Sequence, residues 1–280
     1  MNIYTLPDYL TAETNNPIQL FNYESTTSQF NNKIDLTKNT FSFLQEGCKT
    51  ISTSHEPISI TNDAFLIMKS GHCLMTENLS ETNNFYKSIL LFFSDEVLFQ
   101  FIEKYQITNK YIPAITAAKA CDYDDFIRSF VKSLERVSKL APNLQQQLLQ
   151  VKLEEILLYL VSTKGVDFLL FLIASKNDQT TNFINVVESN TLNKLTLKEL
   201  AFLSNMSIST FKREFEKHFH ESPIKWFQNK RLEHAAFLLQ HNTKRPSDIF
   251  EEIGYENLSN FVHAFKTKFG VTPKQFQLQN

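Results

Sequence analysis

The chain of 280 residues is poor in glycine, with 5, and in cysteine, with 3. So few glycines leave little material for glycine-rich phosphate loops, and no P-loop, G-x-S-x-G or H-E-x-x-H occurs. Cys48, Cys73 and Cys121 are odd in number and widely spaced. They can build neither a disulfide framework nor a four-thiolate zinc site, and Cys48 and Cys73 read as small buried hydrophobes. Charge of one sign is also missing: 28 Lys and Arg oppose 30 Asp and Glu, a net of −2. That balance rules out a uniformly basic coat over the whole molecule.

Long apolar runs are absent as well. The most apolar stretch, from Ile156 to Ala174, is interrupted by Ser162, Thr163, Lys164, Gly165 and Asp167. A bilayer core requires about 20 predominantly apolar residues, so two buried helix segments are expected in place of a membrane span. The first residues, Met1–Tyr9, lack the basic and apolar regions of a secretory signal. The chain therefore reads as cytoplasmic with reduced thiols. A metal-holding β domain would need clustered histidines, whereas the front half has only His55 and His72, far apart. No catalytic residue, metal or cofactor is expected.

Phenylalanine is abundant, at 26, and the hydrophobic fraction of 42% supports sizeable cores. Up to about residue 93, short segments rich in β-branched and aromatic residues predict strands: Thr40–Leu44, Lys49–Thr53, Ala64–Met68 and Tyr86–Phe93. Turn residues at Gly47, Pro57, Asn62-Asp63, Gly71 and Asn83-Asn84 separate them, as in a small sandwich, barrel or jelly roll. After Ser94-Asp95 the period becomes helical. Asp95–Tyr105 presents Leu98, Phe101, Ile102 and Tyr105 on one face. Tyr123–Lys139 presents Phe126, Phe130, Leu134 and Val137, and Asn143–Ser162 presents Leu144, Leu148, Ile156 and Leu160. Further helices are expected over 166–175 and 181–189, with a boundary near Asn190–Lys194.

The last 90 residues contain a duplication. At an offset of 50, Phe211, Phe215, Phe219, Pro223 and Trp226 correspond to Phe261, Phe265, Phe269, Pro273 and Phe276. Upstream the offset is 49, relating Leu200, Asn205 and Met206 to Ile249, Gly254 and Tyr255. Each copy reads as helix, turn, helix. Thr196 and Glu199 form a T-x-x-E capping box ahead of Leu197, Leu200, Ala201 and Leu203. Asn205 and Gly254 suit a left-handed turn position, and Ser207 and Asn257 suit helix caps. Ser222-Pro223 and Thr272-Pro273 then place a cap before a proline at the first helical position. The alternative is a helical bundle with a chance repeat.

A helix-turn-helix places its second helix in a DNA major groove. With Phe211 and Phe215 buried, Ser207, Ser209, Thr210, Lys212, Arg213 and Lys217 become candidate DNA contacts. Arg213 is the leading base reader, because arginine pairs with guanine O6 and N7. Glu216 shares this face. The second copy supplies Asn257, Ser259, Asn260, His263 and Lys266, beside Thr267. Charge follows the division: residues 190–280 hold 13 basic and 9 acidic side chains, and residues 1–189 hold 15 and 21.

These motifs resemble the AraC/XylS family of bacterial transcription regulators. The matching text is L-x-x-L-A at Leu197–Ala201, S-x-S-x-F-x-R-x-F at Ser207–Phe215 and R-L-x-x-A-x-x-L-L at Arg231–Leu239. It continues with I-x-x-x-I-G-Y at Ile249–Tyr255 and N-F-x-x-x-F-K-x-x-F-G-x-T-P at Asn260–Pro273. The resemblance implies two helix-turn-helix units flanking one connecting helix, about Pro223–Gln240, with Arg231 as its structural arginine. Asn205 departs from the usual small turn residue, and Glu214 and Glu216 put acid on the first reading helix. Leu90–Tyr105 looks like the sensor–helix junction of the branch related to the type III secretion activator.

The implied fold is α+β. Residues 1–110 form a cupin-like β sandwich or jelly-roll sensor, 111–189 a helical dimerisation and linker region, and 190–280 an all-α double helix-turn-helix domain. The implied function is a sequence-specific regulator, an activator, that binds double-stranded DNA. RNA polymerase is an expected partner, a homodimer is expected, and a small-molecule effector, a protein effector or none at all stays open. The competing reading is a cupin-type enzyme or ligand-binding protein fused to a DNA-tethering module. Relatives that join this DNA-binding region to a zinc-thiolate repair enzyme are excluded by the cysteine count.

Overall fold

The computed structural model describes residues 3–10, 16–107, 116–173, 179–241 and 244–279. The chain divides into two compact units, residues 1–185 and 186–280. The first unit opens with β1 (Ile3–Leu6), a 3-10 turn at Asp8–Leu10, β2 (Ile18–Ser25) and β3 (Gln29–Leu36). β4 (Asn39–Glu46), β5 (Cys48–Ser52), β6 (Ile58–Ile60), β7 (Ala64–Met68), β8 (Gly71–Asn78) and β9 (Tyr86–Phe93) follow. Then come α1 (Asp95–Lys104), β10 (Ala118–Asp122), α2 (Asp125–Val137), α3 (Pro142–Lys164), α4 (Asp167–Ile173) and α5 (Gln179–Ser189). The unit boundary falls within α5, and the expected junction at residues 110–111 lies outside the described residues.

Two five-stranded sheets form, in the orders β1-β3-β8-β5-β6 and β10-β7-β4-β9-β2. Alternation along the second sheet builds two cores. Phe43 stands opposite both Phe65 and Ile89, and Phe41 opposite Ile67 and Leu91. These residues face the helices and join Leu98, Phe130, Leu134, Leu153, Ile156 and Leu169 in one cluster. Leu44, Leu66, Met68, Leu90 and Phe92 point the other way and meet Ile34, Leu36, Ile51 and Met75 of the first sheet. Burial on both faces explains why β7 and β9 read as continuous apolar runs.

Several expectations on the helices shift by a residue. The buried positions of α2 are Ile127, Phe130, Val131, Leu134 and Val137, and those of α3 are Leu149, Leu153, Ile156, Leu157 and Leu160. Phe126 is therefore not a core residue. It is partly exposed and stacks on Tyr159, with centroids 3.9 Å apart. Leu144 likewise leaves the core face and is exposed. Cys73 is buried as expected, and desolvation pushes its thiol up to about 12. Cys48 is only half-buried. The stretch 111–189 is not wholly helical, because Ala118–Asp122 extends the second sheet by pairing with β7. Residues 174 and 175, the end of one expected helix, lie outside the described residues.

The second unit is all-helical among its described residues. It contains α6 (Leu197–Leu203), α7 (Ile208–Phe219), α8 (Pro223–His241), α9 (Pro246–Ile249), α10 (Leu258–Phe269) and α11 (Pro273–Gln279). No helix among the described residues is long and apolar enough to cross a membrane.

Candidate nucleic-acid interface

The capping box at the start of α6 is reciprocal. The Thr196 N–H donates to Glu199 Oε2 at 2.7 Å, and the Glu199 N–H donates to Thr196 Oγ1 at 3.3 Å. Asn205 then takes the left-handed conformation, φ +53°, as its place in the turn requires. Ser207 caps α7 by accepting the Thr210 N–H at 3.1 Å. In the second copy Gly254 has φ +89°, and Asn257 caps α10 by accepting the Asn260 N–H at 2.8 Å.

The backbone repeats in detail. Ser204, Asn205 and Met206 N–H groups donate to the carbonyls of Leu200, Phe202 and Ala201. Ile253, Gly254 and Tyr255 N–H groups donate to those of Ile249, Glu251 and Phe250, the same three bonds 49 residues on. Both long helices also end on a left-handed residue, His220 at φ 55° and Gly270 at φ 79°. This second match was readable at an offset of 50, but histidine hides a position that glycine advertises.

Aromatic packing fixes the orientation of both α7 and α10. Phe215 meets Phe211, Phe219, Trp226 and Phe227 at centroid distances of 5.8, 4.6, 5.5 and 5.8 Å. Phe265 meets Phe261, Phe269 and Phe276 at 5.6, 4.5 and 5.4 Å. At about 100° per residue, Arg213 then lies directly opposite the Phe211–Phe215 edge, with Ser209, Glu216 and Lys217 beside it. His263 holds the same place on α10, flanked by Ser259, Lys266 and Thr267.

Ten of the eleven candidate contacts are exposed: Ser207, Ser209, Lys212, Arg213, Lys217, Asn257, Ser259, Asn260, His263 and Lys266. Thr210 is half-buried, and its hydroxyl lies 2.9 Å from that of Ser207. The Ser207 hydroxyl and the Asn257 carbonyl oxygen act as caps. Glu214 has three basic side chains of α7 nearby: Arg213 and Lys217 at 3.5 Å and the His218 ring at 3.9 Å. Lys212 and Lys266 have no carboxylate partner among the described residues.

Arg231 is held within the scaffold. Its Nη2 donates to the Asn193 carbonyl at 2.9 Å, and burial lowers its pKa. A Cβ on Gly254 would sit 3.3 Å from Arg231 Nη1, so the glycine provides both the turn and room for the arginine. Lys268 of α10 is also engaged. It donates to the Asn229 carbonyl at 2.7 Å and to Glu233 at 2.9 Å, holding that carboxyl below its ordinary range. None of these three partners is evident from sequence spacing. In the first unit, no group of three or more His, Cys, Asp or Glu that could hold a metal occurs among the described residues.

A two-sheet β domain followed by a duplicated helix-turn-helix module defines the class. Residues 39–171 match the ExsA N-terminal regulatory domain, and residues 200–279 match a helix-turn-helix domain. The chain thus carries an ExsA-type regulatory domain ahead of a helix-turn-helix domain, and is similar to AraC-family transcriptional activators. It is 32% identical over 132 residues to the virulence regulon transcriptional activator VirF of Yersinia enterocolitica, covering 47% of this chain and 49% of that one. The thermoregulatory protein LcrF of Yersinia pestis matches at the same identity and coverage. The transcriptional regulator ExsA of Pseudomonas aeruginosa is 28% identical over 126 residues, 45% of each chain. The chain thus spans about half the length of the curated relatives it matches. Among solved structures, an apo form of a ToxT point variant from Vibrio cholerae aligns with 95% of this chain and 98% of its own, at TM-score 0.43 and 11% identity.

Proposed function

We propose that the chain is a sequence-specific DNA-binding transcription regulator, an activator, acting in the cytoplasm with an N-terminal sensing and dimerisation unit. The observation that carries this reading is the duplicated helix-turn-helix, in which aromatic packing turns Arg213 and His263 outward at equivalent places. α8 has 19 residues, about 28 Å at 1.5 Å per residue. That length suits two reading helices addressing major-groove faces about 34 Å apart. In this reading Ser209, Lys212, Arg213 and Lys217 contact the first groove face, and Ser259, Asn260, His263 and Lys266 the second. Ser207, Thr210 and Asn257 hold the helix starts beside the phosphates. Double-stranded DNA is the partner, and RNA polymerase is the recruited machinery.

Residues 111–189 supply the dimer contact. The support is a seam on α3, where Leu144, Val151 and Leu158 are exposed at seven-residue spacing. A second copy in antiparallel register about Val151 would pair Leu144 with Leu158 and Gln147 with Glu155. Parallel pairing would stack Glu154 and Glu155 on their own copies. Sedimentation of the full chain tests this: a dimer that Val151→Glu dissociates is expected, and a monomeric wild type contradicts it.

Selection of bound sequences from random DNA, followed by gel shifts, tests the main reading. A recovered motif bound far more tightly than bulk DNA is expected. Absence of any enriched motif would overturn it.

A further inference from the structure

A cavity of about 180 Å³ lies between the two sheets of the first unit. Met68, Met75, Leu90 and Phe92 supply apolar lining. Tyr23, Gln29, Asn32 and Glu77 supply polar lining, with Gln29 opposite Glu77 across the β3–β8 pair. Tyr4 and Tyr9, edge-to-face at 4.8 Å, complete the wall from the N-terminal strand and the turn after it.

Glu77 is held in place from behind. Its Oε1 lies 3.1 Å from Lys49 Nζ, and the Lys49 side chain is wholly buried. Lys49 also donates to Ser42 Oγ at 2.9 Å and lies 5.8 Å from the Tyr86 ring centre. Removing either charge would leave the other buried and unpaired, so the carboxylate is fixed at the cavity wall. Burial and the neighbouring Glu77 push the Tyr23 hydroxyl up to about 12. A cavity of roughly 150 Å³ holds a benzene ring, so this one accommodates one ring or a short chain with a small polar end. An O–H or N–H on the ligand finds an acceptor in Glu77, whereas a ligand carboxylate would meet the Glu77 carboxylate, which lines the cavity, before the Lys49 ammonium, which does not.

We propose that this cavity binds an uncharged one-ring or short-chain amphiphile whose polar end donates a hydrogen bond to Glu77, and that it rejects carboxylic acids. The proposal rests on the reading of residues 1–185 as a sensing unit and gives that unit a ligand class.

The test uses the full chain with 4-methylbenzyl alcohol and 4-methylbenzoate, a pair alike in size and differing in charge. Calorimetry and ligand-observed NMR at pH 7 should give an alcohol Kd of about 1 mM or tighter, and binding of the acid about tenfold weaker or more. Leu90→Trp should abolish binding of both. Met75→Phe is a milder filling variant, and melting curves verify that both fold. The double variant Lys49→Met/Glu77→Gln removes both charges together and should reduce the preference to about threefold or less. Equal or tighter binding of the acid, no alcohol binding, or unchanged binding in both folded filling variants would overturn the proposal. A gel shift on the selected DNA accompanies each measurement. Intact DNA binding without alcohol binding sinks the cavity proposal alone. Alcohol binding without DNA binding sinks the regulator reading instead.

Discussion

Three hydrogen bonds close the turn of the first helix-turn-helix, and the same three recur 49 residues later in the second. Around this shared backbone the two copies differ. The first helix of copy one has seven residues and a reciprocal Thr196–Glu199 cap. Its counterpart α9 has four, and there the Arg245 N–H donates to Asp248 Oδ2 at 3.0 Å. The reading helices differ more. α7 carries Glu214 and Glu216 among Lys212, Arg213 and Lys217, whereas α10 carries Lys266 and Lys268 and no acid. Duplication preserved what orients a helix and left free what the helix presents. In the proposed function, base reading falls chiefly to Arg213 in copy one, and phosphate anchoring chiefly to Lys266 in copy two.

The largest effects should fall on the shared scaffold. Phe215→Ala and Phe265→Ala should each destabilise the second unit by about 3–5 kcal/mol in urea melts. A cost under about 1 kcal/mol for Phe265→Ala alone would break the equivalence of the two aromatic cores. Next come the reading helices. Arg213→Ala should weaken specific binding by about 1–3 kcal/mol and relax one base position. Lys266→Ala should weaken binding to all sequences evenly and reduce the slope of log affinity against log salt by about 1. Gel shifts over a salt series and a base-substitution panel separate the two. Identical profiles for both variants would erase the proposed division of labour. The cap of copy one is smaller: Thr196→Ala should cost about 1 kcal/mol of stability by thermal melting. Smallest is Glu214→Gln, which releases Arg213 and Lys217 from exposed pairs and should tighten non-specific binding by about 0.2–1 kcal/mol. Weaker non-specific binding in that variant would show that Glu214 orients those cations for DNA.

The duplicated module was the most legible part of the chain, because each local signal had one physical use. Thr196, Asn205, Ser207, Gly254 and Asn257 all occupy the cap or turn positions their chemistry suits. β7 and β9 were equally plain, since burial on both faces makes an apolar run. β2, β3 and β8 were not, because residues such as Gln19, Asn22, Asn31, Asn32, His72 and Thr76 interrupt the alternation. The faces of α2 and α3 were blurred for a related reason. α3 carries apolar residues on its exposed side too, at Leu144, Val151 and Leu158, so periodicity alone could not choose the buried register. The carbonyls that accept from Arg231 and Lys268 were not legible, because they belong to the backbone 38 and 39 residues away.

Footprinting on a selected DNA site tests the central claim most directly. The account predicts two protected major-groove faces on one side of the duplex, about one helical turn or 10 base pairs apart. Arg213→Ala should weaken protection chiefly at one face, and Lys266→Ala at the other. Protection of a single groove face, unchanged by either substitution, would contradict the account.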